Sequence, residues 1–141
     1  MPAIAARCFV LVRADGAAQP LGDRIVEFAD QPDRFELRDP RTTYSAYVPP
    51  GSLKRGGSLV SHGRGALAAC SSCHGAELRG GKGLAGPPLA GRFAGSLIRQ
   101  LYGFRSGARH GNAAQPMQAV AAELSDRDII DATAYAARLQ P

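Results

Sequence analysis

A mainly α fold with an extended, partly β N-terminal arm is what this sequence predicts, on three observations. Behind residue 52 the apolar residues recur at helical spacing in separate runs; ahead of Pro49-Pro50 they sit in short β-branched and aromatic segments; and a Gly/Pro-rich stretch divides the helical runs. We assign residues 1–51 to the arm and 52–141 to the helical domain. The length of 141 residues leaves room for one ordinary domain, or for a small domain with an appended segment.

In the arm, Phe9–Val12, Arg24–Phe28 and Tyr44–Val48 have strand composition, and the last is stopped by Pro49-Pro50. Asp30-Gln31-Pro32-Asp33 and Asp39-Pro40-Arg41 supply turn chemistry between them. So few apolar residues per strand cannot form a core, so the arm is expected to pack on the helical domain or on something outside this chain. Cys8 lies in the apolar run Cys8-Phe9-Val10-Leu11-Val12 and reads as a buried thiol.

The first helix is expected from Ser52, read as its N-cap, through Leu53, Leu59 and Val60 to Gly63. Gly56 and Gly57 within it each cost roughly 1 kcal/mol relative to alanine, which a close helix contact would compensate. Ala66–His74 forms a further helical turn, Gly80–Gly91 a loop, and Ser96–Arg105 a helix with Leu97, Leu101 and Phe104 on one stripe. The final helix opens on the capping signature Ser125-Asp126-Arg127-Asp128 and carries Ile129, Ile130, Thr133, Ala134 and Ala137 on its apolar face. Tyr135, beside that face, is expected against the glycines of the first helix.

The chemistry is concentrated in Cys70-Ser71-Ser72-Cys73-His74. C-x-x-C-H is the spacing of covalent haem attachment: two sulfurs three apart on a short turn can each add to a porphyrin vinyl group, and the adjacent imidazole meets the iron. Zinc and disulfide chemistry use C-x-x-C without needing a histidine fixed to the second cysteine. Composition agrees, because aromatics are only 6% and tryptophan is absent, so a bound haem would supply the large apolar body the core lacks.

His74 leaves a sixth iron position to fill. Met117, the one methionine besides Met1, follows Pro116, and the intervening chain is long enough to pass round a haem. A thioether favours ferrous iron and raises the reduction potential. His110, in the polar stretch Arg109-His110-Gly111-Asn112, is the rival, while His62 reads as a surface residue. Zinc held by Cys70, Cys73 and two histidines is the remaining metal alternative.

Net charge is +5, and residues 55–141 carry ten Lys/Arg against five Asp/Glu, whereas residues 1–54 are balanced. Arg79, Lys82, Arg92, Arg99, Arg105 and Arg109, opposed only by Glu77, would steer an acidic protein partner toward the haem edge. An ordinary basic surface is the alternative. Nucleic acid is excluded as a partner, since the basic residues are not interleaved with aromatics and no recognition motif is present. No segment approaches the length of a membrane span. Met1–Val12 lacks the form of an export signal, although haem ligation takes place outside the bacterial cytoplasm. That conflict points to a mature product, an excised piece or a truncated reading of a longer chain.

The chain resembles the class I c-type cytochromes, especially c4-like bacterial members, through Cys70-Ser-Ser-Cys73-His74-Gly75, Gly86-Pro87-Pro88-Leu89-Ala90-Gly91, Gln100-Leu101-x-x-Phe104-x-x-Gly107-x-Arg109, Pro116-Met117 and Leu124-Ser125-Asp126 with Ala134-Tyr135. The resemblance, over about residues 52–141, implies the class I cytochrome c fold, with helices packed around one covalent haem c. It implies thioether bonds through Cys70 and Cys73, His74 and Met117 as axial ligands, and the carbonyl of Pro87 or Pro88 accepting the His74 Nδ1–H. Arg34–Pro40 with Ala46–Pro49 is similar to the connector before the second domain of two-haem relatives, which would put a further haem domain and the export signal upstream. The function implied is periplasmic single-electron transfer without catalysis. A haem sensor or peroxidatic domain with an open sixth site, and an electron-transfer subunit of a larger dehydrogenase or oxidase, are the alternatives.

Overall fold

The computed structural model describes residues 3–6, 9–11, 18–81, 83 and 86–141. Cys8 and Lys82 lie outside them, and with Cys8 the reading of it as a buried thiol. The arm is more ordered than extended chain. Its strands are β1 (Ala3–Ala6), β2 (Phe9–Leu11), β3 (Ala18–Pro20), β4 (Val26–Ala29) and β5 (Tyr44–Val48), with a short helix α1 (Pro32–Glu36) before the last. The order β1-β5-β4 makes a three-stranded sheet, with Ala3 opposite Ser45 in a parallel pair and Val26 opposite Tyr47 in an antiparallel one; β2 and β3 form a separate antiparallel pair. The alanine-rich β1 and the three-residue β3 have no sequence signature, because strand pairing rather than propensity makes them. The turn expected around Pro32 is the start of α1, which proline opens at its first position.

The arm packs on the helical domain through a few specific contacts. Leu21, Ala46 and Val48 are buried, Tyr44 sets its ring edge against Phe93 at 4.7 Å, and Arg127 pairs with Asp23. Phe28, Phe35 and Leu37 remain exposed.

The helical domain consists of α2 (Ser52–His62), α3 (Ser71–His74), α4 (Ala94–Arg105), α5 (Gln115–Glu123) and α6 (Asp126–Arg138). α2 and α6 make the most extensive contact of any two described elements. The expected glycine contact sits at their crossing: a Cβ on Gly56 would lie 1.9 Å from the Asp131 carbonyl oxygen, and one on Gly57 would meet the Tyr135 ring at 2.9 Å. Around it Leu59, Val60, Ile129, Ala132 and Ala136 form the core with Leu78, Leu97 and Leu124. Two bidentate ion pairs flank it: Arg55 Nε and Nη2 lie 2.6 and 2.9 Å from Asp131, and Arg64 Nη1 and Nη2 lie 2.6 and 2.7 Å from Asp128.

Two helix starts differ from expectation. Ser52 is the first helical residue and fully buried, not the cap; Gly51, at φ 79°, occupies the cap position, a conformation that glycine adopts without strain. α4 begins at Ala94, two residues before Ser96, because the Glu27 carboxylate of β4 accepts the Ala94 and Gly95 N–H groups at 2.7 and 2.9 Å. Ser125 caps α6 as its sequence predicts: its Oγ accepts from Asp128 N, and Asp128 Oδ2 accepts from Ser125 N.

Candidate haem-attachment site

The cysteine pair brackets α3. Cys70 takes the cap position, its carbonyl accepting the His74 N–H at 3.0 Å, and Gly75 ends the turn at φ 89°. Cys70 is half-buried and Cys73 exposed, three residues apart and on the same short turn. Burial pushes the Cys70 thiol above its ordinary pKa. Among the described residues no group of three His, Cys, Asp or Glu is placed to hold a metal ion, so the four-donor zinc alternative has no geometry.

His74 is 5% exposed, and its Nδ1 lies 2.8 Å from the Pro87 carbonyl oxygen. The neighbouring Pro88 carbonyl instead accepts from Arg92 Nε at 2.8 Å. With Nδ1–H donated to a carbonyl, Nε2 is the nitrogen left for a metal. The loop carrying Pro87 is stitched to the motif: Gly86 N donates to Cys73 O, Gly80 N to His74 O, and both Leu89 N and Ala90 N to Leu78 O. Leu78 is fully buried at φ 56°, a backbone conformation unusual for leucine and held by its side-chain packing and these hydrogen bonds. Gly86 has no room for a side chain, since a Cβ there would stand 2.3 Å from His74 Nδ1. Neither Leu78 nor the closeness of Gly86 carried a sequence signal beyond the Gly86-Pro87-Pro88 motif.

Met117 stands in the first turn of α5, a helix not foreseen from the sequence, which Pro116 helps to start. It is partly buried against Phe104, Ala114 and Ala121. His110 is exposed, its Nδ1 3.2 Å from the Gly107 carbonyl oxygen, and His62 is exposed at the end of α2. Leu67, Leu89, Ile98, Leu101 and Val120 are only partly buried against the core. Two cysteine sulfurs at the C-x-x-C-H spacing, an imidazole with one nitrogen already engaged, a glycine that leaves the ring its space, and apolar side chains with surface still to cover fit a covalently held haem.

Of the basic residues after the motif, Arg79 pairs with Glu77 at 3.4 Å and Arg105 with Asp126 at 2.6 Å. Arg92 and Arg109 hydrogen-bond to neutral groups, a carbonyl and an amide. No described helix is long and apolar enough to cross a membrane.

Comparison with known proteins gives a consistent picture. The family model described as cytochrome c matches residues 60–140. Cytochrome c4 of Azotobacter vinelandii is 31% identical over 118 residues, 83% of this chain and 52% of that protein. The thiosulfate dehydrogenase electron acceptor of Stutzerimonas stutzeri (strain A1501) is 43% identical over 76 residues, 54% of this chain and 33% of that protein. Reduced recombinant cytochrome c4 from Pseudomonas stutzeri superposes with a TM-score of 0.58 at 35% identity, covering 67% of this chain and 51% of that one. The chain therefore spans about half the length of the cytochrome c4 proteins it matches.

Proposed function

The chain belongs to the cytochrome c family, with its class I fold and covalent haem c, and from that premise we propose that it is a single-electron carrier with His74 and Met117 as axial ligands. The observation that carries this reading is the 2.8 Å contact between His74 Nδ1 and the Pro87 carbonyl beside a C-x-x-C-H turn. A haem bound here supplies iron that cycles between ferric and ferrous by one electron. Cys70 and Cys73 hold it in register and prevent its loss. The Pro87 carbonyl fixes the imidazole's orientation and raises its basicity, while the Met117 thioether favours the reduced state. With His74 and Met117 both committed to its iron, a bound haem would give substrate no access to the metal and would supply electron transfer rather than catalysis.

The surrounding protein follows from the same reading. The basic excess after the motif suits redox partners with acidic docking surfaces, giving an association that weakens with salt. Covalent haem attachment suits a periplasmic protein, and the arm suits a connector to an upstream haem domain. A second reading, acceptor of electrons from a dehydrogenase, is favoured by the likeness to a thiosulfate dehydrogenase electron acceptor. A pyridine haemochrome spectrum with intact mass, on protein from a haem-ligating host, tests the haem attachment on which the first reading rests, and loss of the ferric sulfur-to-iron band in Met117→Ala tests its ligand set. One haem per chain, retained under denaturation, is expected; colourless protein at the bare polypeptide mass overturns it. Co-purification with a dehydrogenase supports the second reading, and a monodisperse, redox-competent monomer counts against it.

A further inference from the structure

We propose that Arg109 is a positioning residue that selects the sixth ligand, holding the return loop so that Met117 is presented and His110 is kept away. The inference rests on the axial-ligand reading above. The loop runs over residues 106–114 from α4 to the helix that carries Met117. Arg109 ties it to α4 in three ways: its backbone N–H donates to the Gly103 carbonyl at 2.8 Å, its Nη1 donates to Gln100 Oε1, and its guanidinium carbon lies 4.4 Å from the Phe104 ring centroid. Residues 100, 103 and 104 share one side of the helix, so the three contacts act as one clamp. Phe104 in turn packs with Ala114, Ala121 and Met117, so the clamped ring is also part of the seat of the methionine.

The Arg109 guanidinium is engaged by neutral groups, an amide oxygen and an aromatic ring. Among the described residues no carboxylate pairs with it, which separates it from Arg55, Arg64 and Arg105, whose partners are aspartates. A planar cation on an aromatic face with its fork on an amide fixes geometry. The neighbouring His110 is exposed, its ring against the Gly107 carbonyl. Gly107 at φ 76° and Gly111 at φ 119° bracket the Arg109-His110 pair, so these two residues sit between two turns that most other residue types would strain. Release of the clamp would let that segment swing on both turns. An imidazole seven residues before the methionine would then compete with the thioether for the same metal position.

The test uses the haem-loaded protein and its Arg109→Gln, Arg109→Lys, Arg109→Gln/His110→Ala and Met117→Ala variants. Readouts are the long-wavelength sulfur-to-iron band of the ferric protein, the affinity for added imidazole, and the thermal midpoint. Arg109→Gln should lose part of the sulfur band to His110, and with His110 also removed added imidazole should bind about tenfold more tightly than to the parent, because apparent affinity scales with the fraction of molecules whose sixth position is open. Removing His110 as well should return the band while leaving imidazole affinity raised, and Arg109→Lys should recover part of both through its retained cation. A sulfur band and imidazole affinity matching the parent in Arg109→Gln overturn the proposal, whether or not the midpoint falls. A band absent from the parent, or unchanged in Met117→Ala, overturns the ligand reading itself and the proposal with it.

Discussion

Gly56→Ala and Gly57→Ala make a matched pair in which the crossing of α2 and α6 decides the outcome. Both substitutions sit within the same helix and gain the same intrinsic preference, about 1 kcal/mol. They differ in what the new methyl meets. At position 56 it would lie 1.9 Å from the Asp131 carbonyl oxygen and 2.5 Å from its carbon, the first more than 1 Å inside any real Cβ contact, and backbone cannot rotate out of the way. The helices must part, which loosens Val60 against Ile129 and Ala132 and strains the Arg55–Asp131 pair. Overpacking of this kind costs about 1–3 kcal/mol, and the partly lost core contact adds about 1–2 kcal/mol. After the helix gain the net loss is about 2 kcal/mol, a fall in thermal midpoint of roughly 6–12 °C. At position 57 the nearest atoms, at 2.9 and 3.2 Å, are Cε2 and Cδ2 on one edge of the Tyr135 ring, which is half-buried and can turn. There the clash and the helix gain nearly cancel. Denaturation of both haem-loaded variants beside the parent is the assay. A Gly56→Ala protein as stable as Gly57→Ala would refute close approach of the two backbones as the reason for glycine.

Arg64, foremost, and Ser125 hold the Asp128 carboxyl at a pKa of about 2, below its ordinary 3.8, so it contributes stability above about pH 4 that is lost as pH falls through 2. Because the Arg64 side chain is 61% exposed, solvent screening reduces the contribution to about 1 kcal/mol. The stability gap between parent and Asp128→Asn should therefore narrow between pH 4 and pH 2 in acid denaturation curves; a gap constant over that range contradicts the pairing. Glu27→Gln should cost about 1 kcal/mol and speed hydrogen exchange at the Ala94 and Gly95 amides, since a neutral amide cannot accept from both or complement the helix end. Unchanged exchange there would show that α4 does not depend on the arm. Met117→Ala should lower the reduction potential and let carbon monoxide bind the ferrous protein, followed by titration and absorption; an unaltered ferrous spectrum removes Met117 from the ligand set.

Much of the helical domain was legible because its signals are local. The Ser125-Asp128 capping pair, the apolar spacing of the last helix and the two glycines facing Tyr135 act within a few residues of one another or through one helix face, and each recurs in the structure. The start of α4 was not legible, because its cap is a glutamate 67 residues earlier on a strand. Ser52 misled for a related reason: serine caps many helices, yet here the left-handed turn at Gly51 puts it inside and buries it. α5 escaped notice because Gln115–Glu123 has only a weak apolar stripe, and packing on α4 supplies what the stripe does not.

The sequence by itself determined the chemistry, since the separation of Cys70, Cys73 and His74 is a covalent fact that any turn of helix turns into one attachment point. Tertiary structure alone decided which proline meets the histidine, why residue 86 must lack a side chain, and where Arg109, Asp128 and Glu27 spend their charges. The physical reason is that a backbone carbonyl or amide has the same chemistry at every position. Only the path of the chain brings one of them within 3 Å of a particular side chain.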